Sequence, residues 1–266
     1  MQLVFLLRFA AAAAALHQPR LRAAEGGVGW VLVTAAFYVL NGVSDVAGDR
    51  ANGSTRPLAS GLLSVRGAVA GLILLGLLGV AACFGAGLMC GELACVLAVL
   101  GVCYSIGPRL KENAFAAALT IGGGAGLTYV AGWSLNGAPS AAHVEFAGVL
   151  SFWIAVACAT KDFSDVEGDR LAGRHTVATM LGVKGASHLV SLLSAGASGA
   201  LLLTSWLAHF EIVPALLVVL GSWVLPSAGS RAARSTGRRP KRSAYRVYMA
   251  TQYAANGSMI VLGSAA

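Results

Sequence analysis

Apolar stretches of about 20 residues, the length that crosses a bilayer as a helix, recur along this whole chain. They fall near 3–16, 27–43, 67–87, 90–106, 114–136, 143–160, 185–208, 210–227 and 244–264, and are rich in Leu, Ala, Val and Gly. Charged side chains make up only 11% of residues, against roughly 25% in a soluble domain. The pattern excludes a soluble fold and predicts an all-α, polytopic membrane bundle of about nine transmembrane helices, one domain over residues 1–266. The first stretch is short and interrupted by Arg8. No small-residue cleavage site follows it, so it reads as a first span rather than a signal peptide.

All five aspartates lie in two matched clusters. Ser44-Asp45-Val46-Ala47-Gly48-Asp49-Arg50-Ala51-Asn52-Gly53 recurs as Ser164-Asp165-Val166-Glu167-Gly168-Asp169-Arg170-Leu171-Ala172-Gly173, identical at seven of ten positions, and Asp162 precedes the second copy by three. Four predicted spans separate the copies. An even number returns the chain to the same membrane face, so the clusters are expected to face each other across a central cavity. The two four-helix halves would then be related by a parallel pseudo-repeat about an axis near the membrane normal.

Loop charges support this count. The Asp side would carry Arg50, Arg56, Arg66, Arg109, Lys111, Lys161, Arg170, Arg174, Lys184 and the basic run from Arg231 to Arg246; the other side carries only Arg20 and Arg22. The positive-inside rule places both clusters, and the mouth of the cavity, on the cytoplasmic face of an inner membrane. The net charge of +8 therefore marks topology and contact with anionic lipid rather than nucleic acid. Five cysteines sit in apolar segments without metal-ligand spacing and read as packing residues.

At helical spacing Asp45 and Asp49 share one face, as do Asp165 and Asp169, with Asp162 a turn earlier. Like charges so close repel, and each is costly to desolvate at a membrane edge. A divalent metal removes both difficulties. Carboxylate oxygens suit Mg²⁺, which binds one or two carboxylates, keeps waters, and takes further ligands from phosphate. Two facing carboxylate sets would hold a diphosphate between them. Arg56, in Arg56-Pro57-Leu58-Ala59-Ser60-Gly61, and Arg109 and Lys111, in the loop from Tyr104 to Lys111, are candidate diphosphate-binding cations on the same face.

Weaker signals read as structural. Gly122-Gly123-Gly124-Ala125-Gly126 suits close helix packing, and Tyr129, Trp133, Phe152 and Trp153 serve as interface anchors as readily as cation-stabilising rings. His175 reads as a loop residue. Asn52-Gly53-Ser54 and Asn256-Gly257-Ser258 match the glycosylation pattern, but the first lies on the inferred cytoplasmic face.

These residues resemble the UbiA-type intramembrane prenyltransferases, whose first motif is N-D-x-x-D-x-x-x-D and whose second is D-x-x-D-x-x-x-D. Asn41, Asp45 and Asp49 match the first, and Asp162, Asp165 and Asp169 match the second throughout. Gly42 stands where the family often has Asp, so weaker metal affinity is expected. Arg56-Pro57, Tyr104 to Lys111 and Gly173 to Gly182 resemble further family stretches in the same order. The resemblance implies two Mg²⁺ ions binding a polyprenyl diphosphate. It implies Asn41, Asp45 and Asp49 as ligands of one ion and Asp165 and Asp169 of the other, with Asp162 assisting and Lys111 touching phosphate.

The implied activity is transfer of the prenyl group to an aromatic or quinone-precursor acceptor. A terpene cyclase on the same scaffold, needing no second substrate, would use the same diphosphate site. A transporter would need polar groups deeper in the spans than these carboxylates lie.

Overall fold

The computed structural model describes residues 2–17, 19–51, 54–135 and 139–263. Asn52 and Gly53, which close the first repeat and open one glycosylation pattern, lie outside the described residues.

Apolar composition dictates where the helices run, and short polar side chains fix where several of them start. In chain order they are α1 Gln2–Ala15, α2 Arg20–Ser44, α3 Val46–Ala51, α4 Val65–Ala86, α5 Leu88–Ser105, α6 Ala114–Trp133, α7 Ala141–Cys158, α8 Val166–Leu171, α9 Val177–Leu207, α10 Ile212–Ala233, α11 Arg238–Lys241 and α12 Ser243–Gly263. Ser64 accepts a hydrogen bond from the Gly67 amide at the start of α4, and Asn113 accepts from Phe115 and Ala116 at the start of α6. Thr176 and Thr179 form a reciprocal capping box at α9. Each cap satisfies amides that the first helical turn leaves unpaired.

Among the described residues, seven helices are long and apolar enough to cross a membrane: α2, α4, α5, α6, α7 continued to Ser164, α9 and α10. The first expected span, α1, is a shorter apolar helix, and the ninth, α12, includes Arg246, Gln252 and Asn256. The seventh expected span starts earlier than 185, because α9 reaches back to Val177 through non-helical backbone at Gly182 (φ 68°, ψ 166°). The basic run is also more ordered than a loop: Arg231 ends α10, and α11 and α12 take up residues from Arg238 onward.

Consecutive long helices pack on one another around the bundle, and α1 closes the circuit by touching both α2 and α12; it also packs against α6. Small residues permit the closest approaches. A Cβ on Gly79 would lie 2.7 Å from the Val33 amide nitrogen, and one on Gly29 would lie 2.7 Å from the Gly79 carbonyl oxygen. The backbones of α2 and α4 therefore touch there, as small residues allow between membrane helices. The glycine run of α6 behaves as expected: the helix is continuous, and a Cβ on Gly122 would meet Ala155 and Ser151 of α7.

Two buried clusters result. One, with Trp30, Phe9 and Cys83, joins α1, α2, α4, α5 and α6; the other, with Tyr129, Trp153, Leu201 and Met259, joins α1, α6, α7, α9, α10 and α12. The buried indoles of Trp30 and Trp153 donate to Thr128 (3.1 Å) and Ser222 (2.8 Å). Phe152 instead faces outward.

Candidate active site

Both acidic repeats fold into the same local shape. In the first, α2 stops at Ser44, Asp45 caps it at the edge of the helical region (φ −96°, ψ −1°), and the six-residue α3 follows. In the second, a 3₁₀ turn over Ala159–Ser164 continues α7, Asp165 breaks the helix (φ −120°, ψ 12°), and the six-residue α8 follows. The helical spacing expected within each cluster takes a particular form: each is a helix, a one-residue break and a helical hook. The i, i+4 relation survives, because the Asp49 and Asp169 amides still donate to the Asp45 and Asp165 carbonyls, both at 2.8 Å. Each hook then closes with a five-residue return, Ser54 amide to Asp49 carbonyl (2.9 Å) and Arg174 amide to Asp169 carbonyl (2.8 Å).

The hooks converge. Arg174 reaches Asp45 of the first through Nη2 at 2.8 Å and Asp169 of the second through Nη1 at 3.3 Å. Lys111 Nζ donates to Asp45 Oδ1 (2.8 Å), Asn41 Oδ1 (3.0 Å) and Ser44 Oγ (2.6 Å). Arg56 pairs with Asp49 at 2.9 Å but is largely exposed. A short backbone bridge holds the two inner cations side by side. His175 donates its amide to the Glu112 carbonyl and accepts from the Ala114 amide, both at 2.8 Å, tying the loop before α6 to the loop after α8.

Of the residues singled out in the sequence, Asn41, Asp45, Asp169 and Lys111 are joined in this network, and Asp49 and Arg56 form a separate pair beside it. Asp162 and Lys161 stand behind the second hook, where Lys161 donates to the Tyr104 hydroxyl at 3.0 Å and lies over its ring. Asp165 is exposed at the break itself. Arg109 is turned away: it sits in a left-handed conformation (φ 51°) and pairs with Glu112 at 2.9 Å, half exposed. Sequence reading missed Arg174, which it counted only among the topology charges, and Ser44. A cation five residues past Asp169 was the available signal. Gly42 lies under Leu58, 3.3 Å from where its Cβ would be; that buried leucine occupies the space beside the position where the motif often carries a carboxylate.

Electrostatics follow from burial competing with pairing. Burial lowers the Lys111 ammonium below its ordinary value despite the opposing pull of Asp45. Burial would lower Arg174 too, but Asp45 and Asp169 outweigh it and hold the guanidinium above its usual value. Burial raises the Asp169 carboxyl in spite of Arg174. An ion pair alone would have lowered that carboxyl, so desolvation wins at Asp169.

The donor set fits Mg²⁺. It offers hard oxygens only, and Asn41 and Asp45 already direct oxygens at one shared cation, the Lys111 ammonium. Among the described residues no three His, Cys, Asp or Glu side chains are gathered as they stand into a metal site. Carboxylates in ones and twos, completed by phosphate and water, are the usual arrangement for this ion.

A family model described as the UbiA prenyltransferase family matches residues 3–251. The chain is 36% identical over 165 residues to a digeranylgeranylglyceryl phosphate synthase of Methanoregula boonei, covering 58% of this chain and 55% of that protein. It is 30% identical over 244 residues to a probable homogentisate phytyltransferase 2 of Oryza sativa subsp. japonica, covering 76% and 62%. The chain thus spans less than two thirds of the length of either relative. Its fold matches the structure of a UbiA homolog from Archaeoglobus fulgidus bound to GPP and Mg²⁺, with a TM-score of 0.76 at 22% identity, covering 98% of this chain and 96% of that one.

Proposed function

The chain belongs to the UbiA prenyltransferase family, and from that premise we propose that it transfers a prenyl group from a prenyl diphosphate to an acceptor, with two Mg²⁺ ions. The observation that carries the reading is the bridge made by Arg174 between Asp45 and Asp169, which brings two hooks far apart in sequence to one place. The same metal and a prenyl diphosphate occur together in the Archaeoglobus fulgidus homolog.

In this reading Asn41, Asp45 and Asp49 hold one ion, and Asp165 and Asp169 the other, with Asp162 assisting. Bound Mg²⁺ supplies charge neutralisation for the departing diphosphate. Lys111 and Arg174 exchange Asp45 for diphosphate oxygens, adding fixed positive charge where negative charge develops. Arg56 contributes from the rim. The allylic C–O bond breaks with its electron pair going to the diphosphate, the acceptor attacks the resulting carbocation, and the proton the acceptor loses passes to the released diphosphate. Apolar helix faces keep water away until it does. The acceptor proposed from sequence was aromatic or a quinone precursor; the relatives' names point to a glyceryl phosphate in one case and to homogentisate in the other. Residues 1–266 work as one membrane domain, with both hooks on the cytoplasmic side as the loop charges predict.

The test is Mg²⁺-dependent release of diphosphate from geranylgeranyl diphosphate by the purified protein in lipid nanodiscs. Asp45→Ala and Asp169→Ala should each abolish it, while Glu167→Ala, on an exposed side chain, should not. Full release by the double Asp variant would overturn the assignment. A hydrocarbon product from donor alone would identify cyclisation instead.

A further inference from the structure

The interior of the bundle holds a cation that the acidic site does not use. Arg8, on the apolar helix α1, is 3% exposed and donates through Nη2 to Oε1 of Gln252 on α12, itself 2% exposed. Two donors of this pair, Arg8 Nε and Gln252 Nε2, are buried without a hydrogen-bond partner among the described residues. The ion pairs among the described residues involve Arg56, Arg109, Lys111, Arg170 and Arg174, so no carboxylate neutralises Arg8.

The surroundings are hydrogen-bonded and aromatic. Asn256 donates to the Gln252 carbonyl at 2.8 Å and accepts from the Tyr129 hydroxyl at 2.7 Å, which fixes the α12 side of the pair. The Phe5 ring lies 5.1 Å from the guanidinium carbon and packs edge-on against Tyr38 of α2 at 6.4 Å. Tyr38 precedes Asp45 by seven residues, about 10 Å along the helix axis. Through Phe5, Arg8 is thus linked to a level of α2 that lies inward of the acidic site. Buried charge without a counter-ion is costly in any apolar interior, and most of all within a bilayer.

Resting on the prenyltransferase reading above, we propose that Arg8 and Gln252 form an acceptor subsite that takes an oxyacid group, carboxylate or phosphate, through Arg8 Nε and Gln252 Nε2. The acid would supply the counter-ion that the fold withholds and would orient the acceptor's nucleophilic atom toward the prenyl carbon at the hooks. One N–H of the guanidinium and the amide nitrogen of the glutamine it bonds would each meet one oxygen of the anion, the first as a charge-assisted hydrogen bond.

The experiment uses the full chain in nanodiscs, saturated with Mg²⁺ and the unreactive thiolodiphosphate analogue of geranylgeranyl diphosphate. Two matched pairs are compared by thermal shift: 4-hydroxybenzoate with 4-methylphenol, and an alkylglyceryl phosphate with the corresponding alkylglycerol. One acid should raise the melting temperature of the wild type by several degrees while its neutral partner does not, and the pair that responds tells carboxylate from phosphate. Arg8→Gln should lose this shift. Gln252→Glu gives Arg8 an internal carboxylate, guards against misfolding, and should lose the shift as well, with at least a tenfold rise in KM for the acid acceptor in turnover. Equal shifts from acid and neutral partners, no shift from either acid, or an unchanged shift in Gln252→Glu would each overturn the subsite. If the analogue itself gives the wild type no Mg²⁺-dependent shift, the prenyltransferase reading falls and the subsite with it.

Discussion

Lys111 and Arg174, from loops that follow different helices, donate to the same oxygen, Asp45 Oδ1, each at 2.8 Å. Asp45 is thus the electrostatic centre of the site, and its two partners are internal competitors for whatever cation binds there.

Removing one competitor separates metal binding from turnover. Arg174→Gln should tighten Mg²⁺ binding in the absence of substrate, measured by titration calorimetry, because Asp45 and Asp169 lose a cation that opposes the metal. Diphosphate release should fall by roughly 10- to 100-fold, the scale of one hydrogen bond to a charged group. Parallel loss of metal affinity and activity would show that Arg174 is a structural support only.

The bridge between loops makes a backbone prediction. His175→Ala keeps the amide that donates to Glu112 and should retain most activity. His175→Pro deletes that donor and should release Arg174 and Lys111 from register, cutting diphosphate release by more than tenfold with helical content by circular dichroism unchanged. Equal behaviour of the two variants would contradict this.

Packing between α2 and α4, remote from the site, is equally open to test. Gly79→Val places atoms where the Val33 amide and the Gly29 carbonyl already sit. It should cost about 1–3 kcal/mol, as overpacking does, and lower the melting temperature in detergent. Because α2 carries Asp45, donor affinity should fall with it.

Stability should also depend on Glu211, between α9 and α10. Burial raises its carboxyl to about 7 from an ordinary 4.5. Between those values the folded chain binds more protons than the unfolded one, so stability is greatest below about 4.5 from this group and is lost as pH rises through about 7. Glu211→Gln should flatten that slope and raise the melting temperature at pH 8 relative to wild type.

Much of this was legible in the sequence. Span positions, the pairing of the acidic clusters and the candidate ligands follow from composition, duplication and parity. They are one-dimensional signals, and the helices appear where the apolar stretches lie. What stayed hidden depends on the third dimension. Arg174 looked like one more loop cation because its role comes from the bridge at His175, which pairs residues remote in sequence. Arg109 looked equivalent to Lys111, yet a left-handed backbone at Arg109 sends the two side chains apart. Arg8 was visible as an interruption, but its partner Gln252 is polar without charge and carries no pattern of its own. The short helices that follow Asp45 and Asp165 were also unreadable, since six residues are too few to show an apolar period.

Each acidic hook is closed by its own return hydrogen bond, so its shape is inherited from neighbours along the chain. The interval separating the hooks is inherited instead from the whole helical circuit. Thinning or stretching the surrounding bilayer would accordingly alter the width of the grip while sparing the form of either jaw.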